Sequence, residues 1–100
     1  MTTPDAARYD PRQELMDCRN AIEVVDRRLV ELLAQRVSLG LRAAAAKREA
    51  GLPLKDKARE AEVLDRVLAE GRLHDLPQKD LKKIFERIID MSRRTQEDAR

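Results

Sequence analysis

The sequence predicts an all-helical protein of three helices, one long and two shorter. Of its 100 residues, 42% are hydrophobic and 40% are charged, but only 2% are aromatic. This mixture is typical of long helices, whereas a β-sandwich or barrel needs more β-branched and aromatic residues in short alternating runs. Apolar residues also recur every three or four positions over most of the chain, which is the helical period. Three glycines and four prolines mark only a few turns.

The first predicted helix carries an apolar stripe of about 36 residues at helical spacing. Residues 1–13 lack this periodicity and are interpreted as a flexible leader, so the helical domain is assigned to residues 14–100. Gly51 and Pro53 mark the end of the helix, as a glycine at the C-terminus with a proline beyond it should. The stripe consists of Leu15, Cys18, Ile22, Val25, Leu29, Leu32, Arg36, Leu39, Ala43, Ala46 and Ala50.

Two shorter helices follow the long one. Asp56 is a good N-cap, and the second helix is expected to begin there and to stop at Gly71. Asp75 and Pro77 are interpreted as the start of the third helix. The inner face of that helix consists of Leu81, Ile84, Phe85, Ile88 and Ile89.

The long stripe predicts a partner chain. At 1.5 Å per residue the first helix is roughly 54 Å long, and the two short helices could cover it only if they lay end to end. A monomer of this size and shape would bury too little surface. An antiparallel homodimer is the economical arrangement.

Composition argues against several other classes of protein. The net charge is only +2 with interspersed signs, whereas a nucleic-acid binder usually shows a basic face with aromatic residues. One cysteine, Cys18, cannot form an intrachain disulfide, which favours a cytoplasmic chain. Cys18 and His74 are also too few and too far apart for a typical metal site. No apolar run approaches the ~20 residues of a membrane span. We therefore expect no metal, no cofactor, no nucleic acid and no membrane.

Polar residues stand where the helical pattern expects apolar ones. Arg36 lies on the stripe of the first helix, and Lys47 follows three turns later on the same face. Arg59 and Glu60 lie in the first turn of the second helix, and Ser92 and Gln96 lie on the inner face of the third. Each alone is compatible with surface charge, a snorkelling side chain or a fraying helix end. Together they predict a cavity for a small polyanion.

The chemistry of that cavity is binding and electrostatic stabilisation. It offers cations, an amide, a hydroxyl and a carboxylate, but no evident pair of nucleophile and base. A rearrangement within one bound molecule fits, because it needs only conformational restraint and charge complementarity.

These residues resemble the all-helical class of chorismate mutases. The similarity extends from Cys18 to Gln96 and includes the polar positions that the stripe does not explain. Members of that family rearrange chorismate to prephenate, a step toward phenylalanine and tyrosine, and fold as intertwined dimers of three-helix chains with two active sites. The resemblance thus implies a cofactor-free isomerase acting on chorismate.

The resemblance also implies roles for the residues that contact the carboxylates and the ether oxygen of the substrate. Arg36 would bind one carboxylate, and Arg19 of the partner chain would bind the other. Lys47 and Gln96 would donate hydrogen bonds to the ether oxygen, where negative charge develops. Arg19 precedes Lys47 by 28 residues, or ~42 Å along one helix, so the two could not share a small ligand within one chain.

The remaining roles concern the ring hydroxyl and the lining. By resemblance, Glu60 and the backbone near Asp56 would hold the hydroxyl, and Arg59 and Ser92 would complete the polar lining. Three alternatives remain open: an isochorismate pyruvate-lyase, a 4-amino-4-deoxychorismate mutase of the same fold, and a non-catalytic helical dimerisation module.

Overall fold

The computed structural model of the chain describes residues 8–99, which form three α-helices and no strand. The helices are α1 (Pro11–Glu49), α2 (Lys57–Leu73) and α3 (Gln78–Asp98). The predicted all-helical class, with one long and two shorter helices, is confirmed. Residues 1–7 of the predicted leader, and Arg100, lie outside the described residues.

The chain divides into two compact units with a boundary between Leu32 and Leu33. The described part of the first unit, residues 8–32, contains the N-terminal part of α1. The second unit contains the C-terminal part of α1 together with α2 and α3. None of the three helices combines the length and the apolar character needed to cross a membrane, over the part of the chain that the structure describes.

α1 begins earlier than the apolar stripe indicated. The carboxylate of Asp10 accepts a hydrogen bond from the backbone N–H of Arg12 at 3.0 Å, which satisfies a free donor of the first turn. Pro11 occupies the first helical position, where its missing N–H costs nothing. Residues 11–13 of the predicted leader are therefore helical.

α1 ends at the predicted place, in a Schellman motif. The N–H of Leu52 donates to the carbonyl of Lys47 at 2.8 Å, and the N–H of Gly51 donates to the carbonyl of Arg48 at 3.2 Å. Gly51 has a φ of 71°, which a residue without Cβ adopts at little cost. The glycine therefore ends α1 because the motif requires a left-handed residue at this position.

α2 begins as predicted but does not stop at Gly71. Asp56 is its N-cap, and the Asp56 carboxylate accepts from the backbone N–H of Arg59 at 3.0 Å. The helix continues to Leu73 and ends in a second Schellman motif, with Asp75 in the left-handed position at a φ of 55°. The prediction that Gly71 ends α2 is therefore wrong. Of the two residues predicted at the start of α3, Pro77 is its N-cap, whereas Asp75 belongs to the motif that ends α2.

Gly71 serves packing instead. It is buried within α2, and a Cβ at this position would collide with the Leu81 side chain of α3. The glycine allows α3, which begins at Gln78 after Pro77, to approach α2 closely. This contact helps to place the second half of α3 beside the start of α2.

The two units differ in burial. Every residue from 8 to 32 is exposed, including the stripe residues Leu15, Ile22, Val25 and Leu29. In the second unit, Ala44, Gly71 and Ser92 are buried among the described residues. One of these three, Ser92, has a polar side chain, and it lines a cleft between the three helices.

Candidate active site

A cleft of about 540 Å³ lies within the second unit, between the C-terminal part of α1, the start of α2 and the end of α3. Its volume is typical of a small-molecule site, for which the usual range is about 300–1,000 Å³. Every site residue predicted from the sequence lines it, apart from Arg19. These residues are Arg36, Lys47, Asp56, Arg59, Glu60, Ser92 and Gln96.

Arg36 is held in the cleft by Ser92. The Arg36 Nη1 group donates a hydrogen bond of 2.7 Å to Ser92 Oγ, and Ser92 is only 7% exposed. The contact joins α1 to α3 and fixes the direction of the guanidinium. Because a guanidinium has five N–H donors, Arg36 keeps others for an anion in the cleft.

Lys47 is held by the loop between α1 and α2. Its ammonium group donates to the carbonyl oxygen of Leu54 at 3.2 Å, and both residues line the cleft. An ammonium has three donors, so this contact positions the charge and leaves hydrogen-bonding capacity for a ligand. The Schellman motif that ends α1 directly after Lys47 brings the chain back so that Leu54 reaches it.

Arg59 lines the cleft, but its guanidinium contacts a carboxylate on the surface of α2. Its backbone N–H binds the Asp56 cap, and its guanidinium contacts the Glu62 carboxylate at 3.3 Å. The Arg59 side chain is 52% exposed, and such an ion pair contributes little stability. The guanidinium can therefore leave Glu62 for a ligand at small cost.

Gln96 approaches the backbone of α1 at Gly40. A Cβ built on Gly40 would lie 3.0 Å from the amide nitrogen of Gln96, which is tighter than ordinary packing. The absence of a side chain at Gly40 thus lets the amide nitrogen of Gln96 approach α1 at the cleft wall. Sequence reasoning missed Gly40, although an isolated glycine within a helical pattern often marks a close approach.

Arg93 is a second residue that sequence reasoning missed. Its Nη1 group contacts Glu60 Oε1 at 3.4 Å, and its Nη2 group donates to Asp90 Oδ1 at 2.7 Å. The hydrogen bond from Arg93 lowers the pKa of Asp90, and the same bond together with the charge of Glu60 raises the pKa of Arg93. The Asp90–Arg93 spacing was visible in the sequence, but the contact with Glu60 depends on the packing of α3 against α2.

Arg19 belongs to the first unit, where it is exposed, and it does not line the cleft. The structure therefore brings together the predicted site residues of the second unit only. Among residues 8–99, no group of three His, Cys, Asp or Glu side chains lies close enough together to hold a metal ion.

The comparison with protein families decides the classification. The model of chorismate mutase type II matches residues 18–97, which is most of the chain. The chain belongs to the chorismate mutase type II family. The family suggested by the sequence is thereby confirmed.

Individual relatives agree with the family assignment. The bifunctional chorismate mutase/prephenate dehydratase of Enterobacter agglomerans is 32% identical over 88 residues, which cover 88% of this chain and 23% of the relative. The protein of the same description from Buchnera aphidicola subsp. Baizongia pistaciae is 34% identical over 85 residues, or 85% of this chain and 23% of the relative. The chorismate mutase of Methanocaldococcus jannaschii is 29% identical over 84 residues, or 84% of this chain and 85% of that protein. The chain thus spans less than a quarter of the length of the two bifunctional relatives.

The charges in the cleft of this chorismate mutase family member favour an anion. Four cationic side chains and two carboxylates line it. The cations are Arg36, Lys47, Arg59 and Arg93, and the carboxylates are those of Asp56 and Glu60. One carboxylate caps a helix and the other contacts Arg93, so Arg36 and Lys47 are the cations held by neutral partners. This pair carries the positive potential that a polyanionic ligand would meet.

Proposed function

We propose that this chain is a chorismate mutase, which rearranges chorismate to prephenate in the cleft of the second unit without a covalent intermediate. The observation that carries the proposal is the convergence of Arg36, Lys47 and Gln96 from two helices on one cleft. The family and the chorismate mutase of similar length from Methanocaldococcus jannaschii support it.

The rearrangement breaks one C–O bond and forms one C–C bond within the same molecule, and no proton is transferred. Arg36, oriented by Ser92, binds one substrate carboxylate. Lys47 and Gln96 donate hydrogen bonds to the ether oxygen, on which negative charge develops as the C–O bond breaks. Donors that are already in place for such charge lower the barrier without reorganisation.

The start of α2 holds the ring hydroxyl. Glu60 accepts its hydrogen bond, and the backbone near the Asp56 cap supplies N–H groups at a helix N-terminus. Arg59 turns from Glu62 toward the bound dianion. Restraint of the substrate in a reactive conformation supplies the rest of the acceleration.

We also propose that the active form is an antiparallel, intertwined homodimer. An isolated helix is marginally stable in water, and the first unit exposes the apolar residues Leu15, Ile22, Val25 and Leu29 along one stripe. A second copy of the chain covers that stripe, because each chain presents the same apolar face and two such faces can pack together around a two-fold axis. In this dimer, Arg19 of the partner subunit reaches the cleft and binds the second substrate carboxylate.

The test is optical. Chorismate absorbs in the near ultraviolet and loses its conjugated diene on rearrangement, so purified protein should remove that absorbance, and Lys47→Ala should remove it at least about 10²-fold more slowly. Release of pyruvate from isochorismate, with no reaction of chorismate, would instead indicate the lyase. A protein inactive on every substrate, in which Arg36, Lys47 and Gln96 all tolerate leucine without loss of folding, would be a dimerisation module.

A further inference from the structure

Arg93 separates the proposed active site from a second cleft. That second cleft, of about 580 Å³, lies between α2 and α3, and Glu60, Asp90 and Arg93 line it. Glu60 and Arg93 line both clefts, whereas Asp90 lines only the second. One guanidinium therefore binds two carboxylates, one from each helix.

The two contacts of Arg93 differ in length and origin. Asp90 precedes Arg93 by one helical turn, and its 2.7 Å hydrogen bond fixes the guanidinium on α3. Glu60 comes from α2, 33 residues away, and its Oε1 lies 3.4 Å from Arg93 Nη1. Both side chains are about one-third exposed, at 33% for Arg93 and 31% for Glu60. Arg93 thus holds one oxygen of Glu60 and leaves Oε2 available to a ligand.

We propose that Arg93 is a positioning residue that makes Glu60 select a hydroxyl over an amino group on the substrate ring. This inference rests on the proposed function and specifies the substrate class of the same site. A carboxylate alone would accept hydrogen bonds from both groups and would bind a protonated amine more strongly. The Arg93 cation, held beside Glu60 by Asp90, repels a protonated amine at this position but does not repel a neutral hydroxyl.

The test compares kcat/KM for chorismate with kcat/KM for 4-amino-4-deoxychorismate. For Arg93→Gln, which keeps donors but removes the charge, we expect the ratio of hydroxyl to amino substrate to fall about tenfold. For Arg93→Lys, which keeps the charge but not the forked geometry, we expect the ratio to stay within about twofold of wild type. If lysine keeps the selectivity that glutamine loses, the charge at this position is responsible for it and not a structural role of the arginine side chain.

Arg94→Gln is the matched control. Arg94 also contacts Asp90, at 3.3 Å, but its side chain is 64% exposed and does not line the active-site cleft. We expect the ratio of kcat/KM values in this variant to equal that of wild type within about twofold, because solvent and salt screen the exposed charge of Arg94.

The outcomes are distinguishable. A wild type that is active on chorismate, with an unchanged ratio in Arg93→Gln, would overturn this inference and leave the proposed function intact. An equal fall in Arg94→Gln would also overturn it, because any nearby charge would then suffice. A folded wild type that transforms neither substrate would refute the proposed function and this inference with it.

Discussion

The two units of the chain use similar helical sequence for different purposes. From residue 8 to residue 32 every side chain is exposed, and the apolar stripe of α1 has no cover within its own unit. In the second unit the continuation of the same stripe includes Arg36, and a cleft with a buried serine lies beside it. One unit thus presents an apolar surface that nothing in that unit covers, whereas the other holds the cleft lined by polar and charged side chains.

The exposed apolar surface of the first unit has an energetic consequence. Full burial of a Val, Leu or Ile side chain stabilises a fold by about 1.5–3 kcal/mol, and several such side chains lie on the stripe. A second copy that covers this stripe would therefore add much of the stability that a small core cannot supply.

Lys47→Ala should reduce kcat by about 10²–10³-fold, because it removes a donor to the oxygen on which charge develops. The helical content by circular dichroism should stay unchanged. Arg48→Ala is the control, since Arg48 is the adjacent cation on α1 but is exposed and does not line the cleft. A Lys47→Ala protein as active as the control would remove Lys47 from the mechanism.

Leu29→Lys should prevent the two copies from associating, because it places a charge on the stripe. Sedimentation should show a shift from dimer to monomer, with loss of helical signal as the dimer dissociates. Val24→Lys is the matched control, as Val24 is similarly exposed, at 57% against 53% for Leu29, but lies off the stripe. Equal effects of the two variants would contradict a specific apolar interface.

Gln96→Glu should make the reaction dependent on pH. An amide donates a hydrogen bond at any ordinary pH, whereas a carboxyl group donates only when protonated, and its reference pKa is ~4.3. The variant should keep activity at low pH and lose about tenfold per pH unit above the pKa of the new carboxyl group. Wild type should be nearly flat between pH ~5 and ~8. Parallel profiles of kcat/KM would show that Gln96 does not contact the breaking bond.

Gly40→Ala should give the smallest effect, a reduction of kcat by a few-fold with little change in stability. The new Cβ pushes the Gln96 amide away from α1, while alanine favours the helix by up to about 1 kcal/mol. Gly71→Ala should do the opposite and lower the free energy of unfolding by about 1–3 kcal/mol, because Leu81 packs against this glycine. Thermal melts and steady-state kinetics of both variants separate a site glycine from a packing glycine.

Local signals in the sequence predicted much of the fold. Gly51 ends α1 and Asp56 begins α2 because each acts through hydrogen bonds to residues a few positions away. The prediction that Gly71 ends α2 was wrong because the role of this glycine depends on a residue of another helix. A glycine can end a helix or admit a neighbouring helix, and only the position of Leu81 decides between the two.

The cleft was predictable where polar residues interrupt an apolar face, as at Arg36 and Ser92. The role of Arg93 was not predictable, since an Arg93–Arg94 pair one turn after Asp90 on the same helix is ordinary surface charge in the sequence. Its contact with Glu60 arises only when α3 packs against α2. The role of Arg19 depends on a second chain and stays a prediction.

The most direct test of the account asks whether the first unit of one chain completes the cleft of another. Arg19→Ala and Lys47→Ala should each be nearly inactive alone. When the two variants are refolded together in equal amounts, random pairing makes about half of the dimers mixed. Each mixed dimer has one intact site and one doubly damaged site, so activity should recover to about one quarter of wild type. If Arg19 served the cleft of its own chain, every site would remain defective and the mixture would stay inactive, which would contradict the account.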